Sequence, residues 1–248
     1  MELSELRAEI DQIDAELVAL YRRRMETVTQ ISAYKRLHDL PVYDPQREQA
    51  LLKRVGEMAG PDHADGARAM FTLIMAWSRA FQERERSNIV LIGMPGCGKS
   101  TVGRVVAQKL GRPFVSTDDM IERRAGMTCG DYLRRYGEAD FRLRETEAVR
   151  EAAERMGCVI ATGGGTVTRA ENIELLKRSG VLFYLRRPLD QLDTSEDRPL
   201  SATPEKLRRL WQERAPLYLA ARDYEVEGEG WEVKAEAVIA LWRKHFSP

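Results

Sequence analysis

Asn88-Ile89-Val90-Leu91-Ile92-Gly93-Met94-Pro95-Gly96-Cys97-Gly98-Lys99-Ser100-Thr101 is the stretch that decides the fold of the C-terminal part of this chain. A short apolar run leads into a glycine-rich turn ending in Lys-Ser, and a helical pattern through Val102, Val105, Val106 and Leu110 follows. Phosphate cradling needs that order. A buried strand aims the turn, glycines let successive backbone N–H groups point into one concavity, and the helix N-terminus adds partial positive charge. In this reading Gly96, Cys97, Gly98, Lys99, Ser100 and Thr101 bind the phosphates of a nucleotide. Lys99 reaches the outer phosphates and the Ser100 hydroxyl reaches Mg²⁺. Cys97 fills a small-residue slot rather than acting as a nucleophile. The competing reading, an ordinary strand-to-helix turn, is disfavoured by the strand before the motif and the amphipathic helix after it.

At 248 residues the chain has room for one or two domains. Lys+Arg and Asp+Glu are equal at 39 each, which leaves no electrostatic footprint for nucleic acid or an anionic membrane. No apolar run approaches the ~20 residues of a membrane span, and Met1-Glu2-Leu3-Ser4-Glu5 does not resemble a signal peptide. Cys97, Cys129 and Cys158 are odd in number and far apart, and with only 3 histidines they argue against both zinc and disulfides. The expectation is a reduced, soluble, cytoplasmic protein.

The 87 residues before this stretch have a different character. Leu6, Ile10, Ile13, Leu17, Leu20, Val28 and Ile31 repeat at helical spacing with no Gly or Pro between them. A helix of that length spans roughly 45 Å at ~1.5 Å per residue, too long to stand alone, so it is expected to pair with a second copy of itself. At 100° steps, Arg24 and Lys35 fall in the middle of the apolar stripe and Arg7 on its flank. A cation facing a core is costly unless an anion meets it. The bland alternative is that these side chains snorkel to water or pair with acids such as Glu48. Pro41 is expected to end the helix, and Asp44-Pro45 reads as an N-cap followed by proline at the first helical position. Leu51, Leu52 and Val55 continue the second helix until Gly60-Pro61. A third runs from about Asp65 to Arg86, with Ala67, Met70, Phe71, Ile74 and Phe81 inward and the polar Ser78 and Gln82 on the same face.

Three such helices resemble the all-helical chorismate mutase family, and the residues agree one by one. That family has an arginine early in the first helix (Arg7), one mid-helix (Arg24) and a lysine near its end (Lys35). It then has an Asp-x-x-Arg-Glu motif (Asp44, Arg47, Glu48) and a Ser/Gln pair in the third helix (Ser78, Gln82). The resemblance implies an intertwined homodimer in which Arg7 serves the partner's site. It also implies a pericyclic rearrangement of chorismate to prephenate, which needs carboxylate clamps and donors to the ether oxygen but no acid, base or nucleophile. By resemblance Arg7, Arg24 and Arg47 hold carboxylates, assisted by Ser78. Lys35 and Gln82 donate to the ether oxygen, and Glu48 and Asp44 hold the substrate hydroxyl or its neighbouring backbone.

After the glycine-rich turn, apolar runs at Pro113–Ser116, Cys158–Thr162, Val181–Leu185 and Tyr224–Val226 alternate with helical stretches, which argues for a parallel sheet covered on both faces. Asp118, Gly163-Gly164-Gly165 and Arg198 lie past strand ends, and Arg142 and Arg214 lie on helices. Taken singly, each arginine reads as a surface charge and the triple glycine as a turn. Together, Thr117-Asp118, Gly137-Glu138-x-x-Phe141-Arg142, Thr162-Gly163-Gly164-Gly165, Arg198-Pro199-Leu200 and Glu213-Arg214-Ala215-Pro216-Leu217-Tyr218 resemble shikimate kinase. The resemblance implies that Arg142 and Arg214 pin the shikimate carboxylate and that the triple glycine admits the ring. Asp118 holds the hydroxyls and takes the proton, while Lys99, Arg198 and Mg²⁺ on Ser100 neutralise the phosphoryl group of ATP.

Two features depart from that family. Ser116 stands where a second aspartate usually contributes to Mg²⁺. The loop after Arg187 is acidic (Asp190, Asp193, Glu196, Asp197) and lacks the arginine usually set against the adenine, unless Arg186 or Arg187 swings in. The expectation is therefore a multidomain chain: an all-α three-helix intertwined-dimer domain over residues 1–86, then an α/β P-loop, nucleoside-monophosphate-kinase-like parallel-sheet domain over 87–248. Two alternatives stay open. The helical domain could be a chorismate- or prephenate-binding regulatory and dimerisation module, and the kinase could act on another sugar acid such as gluconate.

Overall fold

The computed structural model describes residues 2–192, 200 and 203–248. It divides into two compact units, Met1–Arg86 with Phe246–Pro248, and Ser87–His245. Among the described residues no helix is long and apolar enough to cross a membrane.

The first unit is three helices: α1 (Leu3–Leu37), α2 (Pro45–Ala59) and α3 (Ala64–Arg86). Helix α1 stops short of Pro41. His38 caps it by donating to the Tyr34 carbonyl, and Asp39 takes a left-handed conformation at φ 51°. The turn is thus complete before the extended backbone that a proline imposes on Leu40. Helix α2 begins as its sequence requires, with the Asp44 side chain accepting from the Arg47 N–H and Pro45 in the first turn. Helices α2 and α3 pack as a hairpin against the C-terminal part of α1, where Val28 and Ser32 are buried. On α3, Met75 is buried at 4% exposure, whereas Met70, expected to face inward, is 43% exposed. The rest of the α1 stripe has nothing over it within one chain. Leu6, Ile10, Ile13, Leu17 and Leu20 are between 43% and 60% exposed.

The second unit is a five-stranded parallel sheet: β1 (Asn88–Ile92), β2 (Phe114–Ser116), β3 (Val159–Ala161), β4 (Gly180–Leu185) and β5 (Tyr224–Val226). The strand order is β2-β3-β1-β4-β5. Strand β1 is central and fully buried, with Leu91 opposite Ala161 on one side and Phe183 on the other. A strand buried on both faces has no polar alternation to show, which is why Ile89 to Ile92 reads as a continuous apolar run. The helices are α4 (Lys99–Leu110), α5 (Thr117–Ala125), α6 (Cys129–Glu154), α7 (Ala170–Ser179), α8 (Pro204–Ala221) and α9 (Trp231–His245). Because β1 and β3 are neighbours, the glycine-rich turn after β1 and the triple glycine after β3 emerge side by side at one end of the sheet. Ligands of open α/β sheets bind at that end.

Candidate functional site

Two cavities collect the sequence-predicted residues, one in each unit. In the helical unit a cavity of about 260 Å³ is lined by Arg24, Lys35, Asp44, Arg47, Glu48, Ser78 and Gln82, with Arg79 at its rim and Val28, Ile31, Leu51 and Met75 as apolar walls. These side chains come from all three helices, and spacing explains their meeting. Arg24, Val28, Ile31 and Lys35 are three or four apart on α1, Arg47, Glu48 and Leu51 sit within the first turns of α2, and Ser78 and Gln82 are four apart on α3. The Arg24 guanidinium donates to Ser78 Oγ at 2.5 Å. Burial lowers its pKa from the ordinary arginine value, with Arg47 acting in the same sense and Tyr21 opposing. Lys35 Nζ donates to the Val42 carbonyl at 2.7 Å. Gln82 Nε2 donates to the Ser78 carbonyl at 3.2 Å, while its buried Oε1 has no partner. A buried acceptor without a protein partner is uncommon, and only a hydrogen-bond donor, from a ligand or a water, would satisfy it. Arg7 is exposed near the start of α1 and does not reach this cavity within one chain, since ~17 helical residues separate it from Arg24 by roughly 25 Å.

The cavity of the α/β unit, also about 260 Å³, is lined by Gly96, Gly98, Lys99, Ser100 and Thr101 on one side and by Asp118, Arg142, Gly163, Gly164, Gly165 and Arg214 on the other. Gly98 has φ 94°, and a side chain there would collide with the Trp231 ring, so only glycine serves. Lys99 is 8% exposed and folds back over the turn, donating at 2.9 Å to the carbonyls of Gly93 and Met94. Cys97 lies behind the loop. Its thiol is fully buried against Gly93 and its N–H donates to the Met94 carbonyl, so it supports the turn without lining the cavity. Arg198 lies outside the described residues, as do Asp193, Glu196 and Asp197 of the acidic loop. Asp190 is exposed.

Asp118 opens onto the cavity from the first turn of α5, yet protein atoms surround its carboxyl. This desolvation pushes its pKa from 3.8 up to about 6, with Lys99 pulling down and Glu145 pushing up. Helix α6 is bent at Gly137, which has φ 81°, and the bend turns Phe141, Arg142 and Glu145 toward the cavity. Arg142 donates to Glu138 through Nη2 at 2.7 Å and to Glu145 through Nη1 at 2.8 Å. Burial alone would lower its pKa, but these two carboxylates outweigh burial and hold it above the ordinary value. Further N–H donors of the fork stay available to a ligand. Arg214 is 5% exposed. One turn on, Tyr218 donates to the Gly164 carbonyl at 2.5 Å and fixes the triple-glycine loop. A side chain at Gly163 would come within 2.6 Å of Glu145 Oε1 and 2.7 Å of Asp118 Oδ1, so the loop's approach requires glycine.

Glu145 and Trp231, both on the lining, had escaped sequence reasoning. Glu145 is fully buried and accepts from Arg142 and from Thr166 Oγ1. Its signal was present, because it shares a face of α6 with Phe141, Ala148, Val149 and Ala152, and an acid on an apolar stripe is as informative as Arg24 on α1. Trp231 covers the glycine-rich turn, with Arg187 5.0 Å from its ring and donating to the Gly96 carbonyl at 3.4 Å. Arg186 points elsewhere, into pairs with Glu225 and Glu227. Ser116 is not on the lining, and its hydroxyl caps α5 by accepting from the Asp119 N–H at 3.1 Å.

Comparison with known proteins agrees with this geometry. Residues 95–240 match the model of the shikimate kinase family and residues 6–83 that of chorismate mutase type II. A shikimate kinase of Thermodesulfovibrio yellowstonii is 41% identical over 166 residues, which cover 63% of this chain and 95% of that protein. A bifunctional shikimate kinase/3-dehydroquinate synthase of Thermotoga maritima is 40% identical over 164 residues, covering 64% of this chain and 33% of that protein. The structure of shikimate kinase from Acinetobacter baumannii in complex with shikimate superposes with a TM-score of 0.62 at 36% identity, covering 67% of this chain and 98% of that one. The chain therefore belongs to the shikimate kinase family through its α/β unit and carries a chorismate mutase type II domain ahead of it.

Proposed function

We propose the following division of labour for this bifunctional enzyme of aromatic biosynthesis, which rearranges chorismate to prephenate and phosphorylates shikimate with ATP. For the mutase, the carrying observation is charge. Arg24, Lys35, Arg47 and Arg79 line the helical cavity against only Asp44 and Glu48, and the surplus of two positive charges suits a dicarboxylate. Arg24 and Arg47, with Arg7 of a second copy, clamp the carboxylates in the reactive diaxial conformer, and Ser78 assists. Lys35 and the Gln82 amide stabilise the ether oxygen as its bond to carbon breaks. Glu48 and Asp44 hold the hydroxyl side. The bare apolar stripe on α1 supports the homodimer, since a second α1 is the natural cover for five exposed aliphatic side chains at helical spacing.

For the kinase, the carrying observation is that the glycine-rich turn, an acid with raised pKa and two arginines on the far wall share one cavity. Arg142 and Arg214 pin the shikimate carboxylate, and the backbone of Gly163, Gly164 and Gly165 lets the ring approach. Asp118 accepts the proton of the attacking hydroxyl, a task for which a pKa near 6 is well matched at neutral pH. The backbone of Gly96, Gly98 and Thr101 cradles the ATP phosphates, and Lys99 and Arg198 neutralise the transferring group. The hard hydroxyl donor of Ser100 suits Mg²⁺. When bound, Mg²⁺ would screen phosphate charge from Ser100. Prephenate formation and shikimate-dependent ADP release, measured on one preparation, test both assignments. ADP release with gluconate but not shikimate would transfer the kinase to another sugar acid. Chorismate binding without turnover would make the helical unit a sensor.

A further inference from the structure

We infer that Arg79 is a positioning residue of the mutase cavity. It holds the Glu48 carboxylate and thereby leaves Arg24, Lys35 and Arg47 free for a dianionic substrate. The inference rests on the proposed reading of this cavity as a chorismate site.

The geometry is specific. Arg79 Nη1 donates to both oxygens of Glu48 at 2.5 Å, bridging α3 to α2. The guanidinium also lies 5.4 Å from the ring of Tyr43, on the loop before the α2 cap. Arg79 sits ~100° around α3 from Ser78, which places it at the rim rather than the floor. The pair is accordingly only partly exposed, at 30% and 22%. The other cations are arranged differently. Arg24 donates to the Ser78 hydroxyl and Lys35 to the Val42 carbonyl, both neutral oxygens that an incoming carboxylate outcompetes. Glu48 is thus held at the rim by Arg79, while Arg24 and Lys35 face neutral oxygens.

Without Arg79, Glu48 would be a partly buried carboxylate facing three cations across a small cavity. It would turn toward them, and each ion pair formed would have to be broken by the substrate's own carboxylate. Substrate binding then weakens, and the hydroxyl partner is displaced from its working orientation.

The test compares the full-length parent with R79Q, R79K, E48Q and the double variant R79Q/E48Q in chorismate turnover. Kinase turnover and helical content of the same preparations report folding. Should R79Q lose helical content, Arg79→Met, similar in length and uncharged, replaces it. We expect R79Q to raise KM about tenfold with a smaller fall in kcat, and R79K to return KM to within about threefold of the parent. In the E48Q background the same change should move KM by less than about twofold, the mark of a residue acting through its partner. An equal factor in both backgrounds, or an unchanged KM in R79Q, overturns the inference while leaving the mutase assignment standing. A parent that binds chorismate but does not turn it over overturns the mutase assignment, and this inference with it.

Discussion

The two cavities have the same volume, about 260 Å³, and solve opposite problems. In the helical unit Arg24 and Lys35 are set against neutral oxygens and Arg79 is held in one rim pair with Glu48. In the α/β unit Arg142 is locked between two carboxylates, and Asp118 is pushed up to about 6. The difference follows the chemistry. A pericyclic rearrangement moves no proton, so placing charge is enough and a tuned acid has no task. A phosphoryl transfer from a hydroxyl must lose a proton, so one carboxylate is held where its charge is costly and its basicity is high. Architecture follows as well. The kinase cavity sits at the end of a sheet whose central strand is fully buried, whereas the mutase cavity hangs on a helix on which five aliphatic side chains of the apolar stripe are exposed.

Removing the tuned acid breaks this comparison most sharply. Asp118→Asn is expected to lower kinase turnover by about 10²–10⁴ and leave prephenate formation unchanged. In the parent, kinase kcat/KM should fall as pH drops through about 6, where Asp118 takes up its proton. Stability should run the other way. The folded pKa lies above the ordinary 3.8, so the folded unit binds a proton between those values that the unfolded chain does not, and it gains stability as pH falls through about 6. The Asn variant should therefore melt no lower than the parent at neutral pH, by calorimetry of the kinase transition. A variant with full turnover would remove Asp118 from the chemistry.

On the other side of the comparison, Lys35→Ala should lower chorismate turnover by about 10²–10³, the usual cost of losing a donor to developing negative charge, with kinase turnover intact. Arg7→Ala should be comparably impaired although Arg7 lies far from the cavity of its own chain. Mixed dimers of Arg7→Ala and Arg24→Ala chains should then regain about half the parental activity, because one of the two sites in such a dimer is whole. Verified mixed dimers without recovery would make each site the property of one chain.

A smaller effect should separate binding from chemistry in the kinase. Arg142→Ala removes charge-assisted hydrogen bonds worth ~1.5–3 kcal/mol, so the shikimate KM should rise about 10–100-fold while the ATP KM stays put. Steady-state kinetics with each substrate varied in turn decides this. A rise in the ATP KM instead would place Arg142 on the nucleotide side.

How much of this was legible in the sequence differs between the units for a physical reason. Helical periodicity put Arg24, Lys35, Ser78 and Gln82 on inward faces, and the structure brings those four to one cavity with Asp44, Arg47 and Glu48. It misjudged Met70, which is 43% exposed, and did not single out Met75, which is buried. Arg79 was invisible, since a rim residue lies on neither the apolar stripe nor its opposite. In the α/β unit the loops were readable from their glycines, whereas the places of Glu145 and Trp231 were less so. Glu145 shows only as one acid on the apolar stripe of a helix rich in other charges, and Trp231 follows an unusual Glu227-Gly228-Glu229-Gly230 loop whose course only the fold reveals. Asp193, Glu196, Asp197 and Arg198 of the acidic loop lie outside the described residues, so their expected effect on ATP rests on sequence alone.

Arg187 offers the smallest and most discriminating test of that loop. No arginine follows it before Arg198, and the acids between them approach an anionic nucleotide on the sequence reading. In the structure Arg187 already stands beside the phosphate loop, donating to the Gly96 carbonyl at 3.4 Å and lying 5.0 Å from the Trp231 ring. It is thus placed to supply, from the root of the loop, positive charge that the loop itself lacks. A cation–π contact at a partly exposed site is worth ~0.5–1 kcal/mol, and a partly screened charge near phosphates contributes on the same scale. Arg187→Ala should therefore raise the ATP KM about two- to fivefold, leave the shikimate KM unchanged, and weaken the salt dependence of ATP binding. Asp190→Asn, which removes a negative charge from the same loop, should move the ATP KM in the opposite direction by a smaller factor. If both variants bind ATP like the parent, neither charge faces the nucleotide, and the kinase cavity depends on Lys99 and Arg198 alone for phosphate neutralisation.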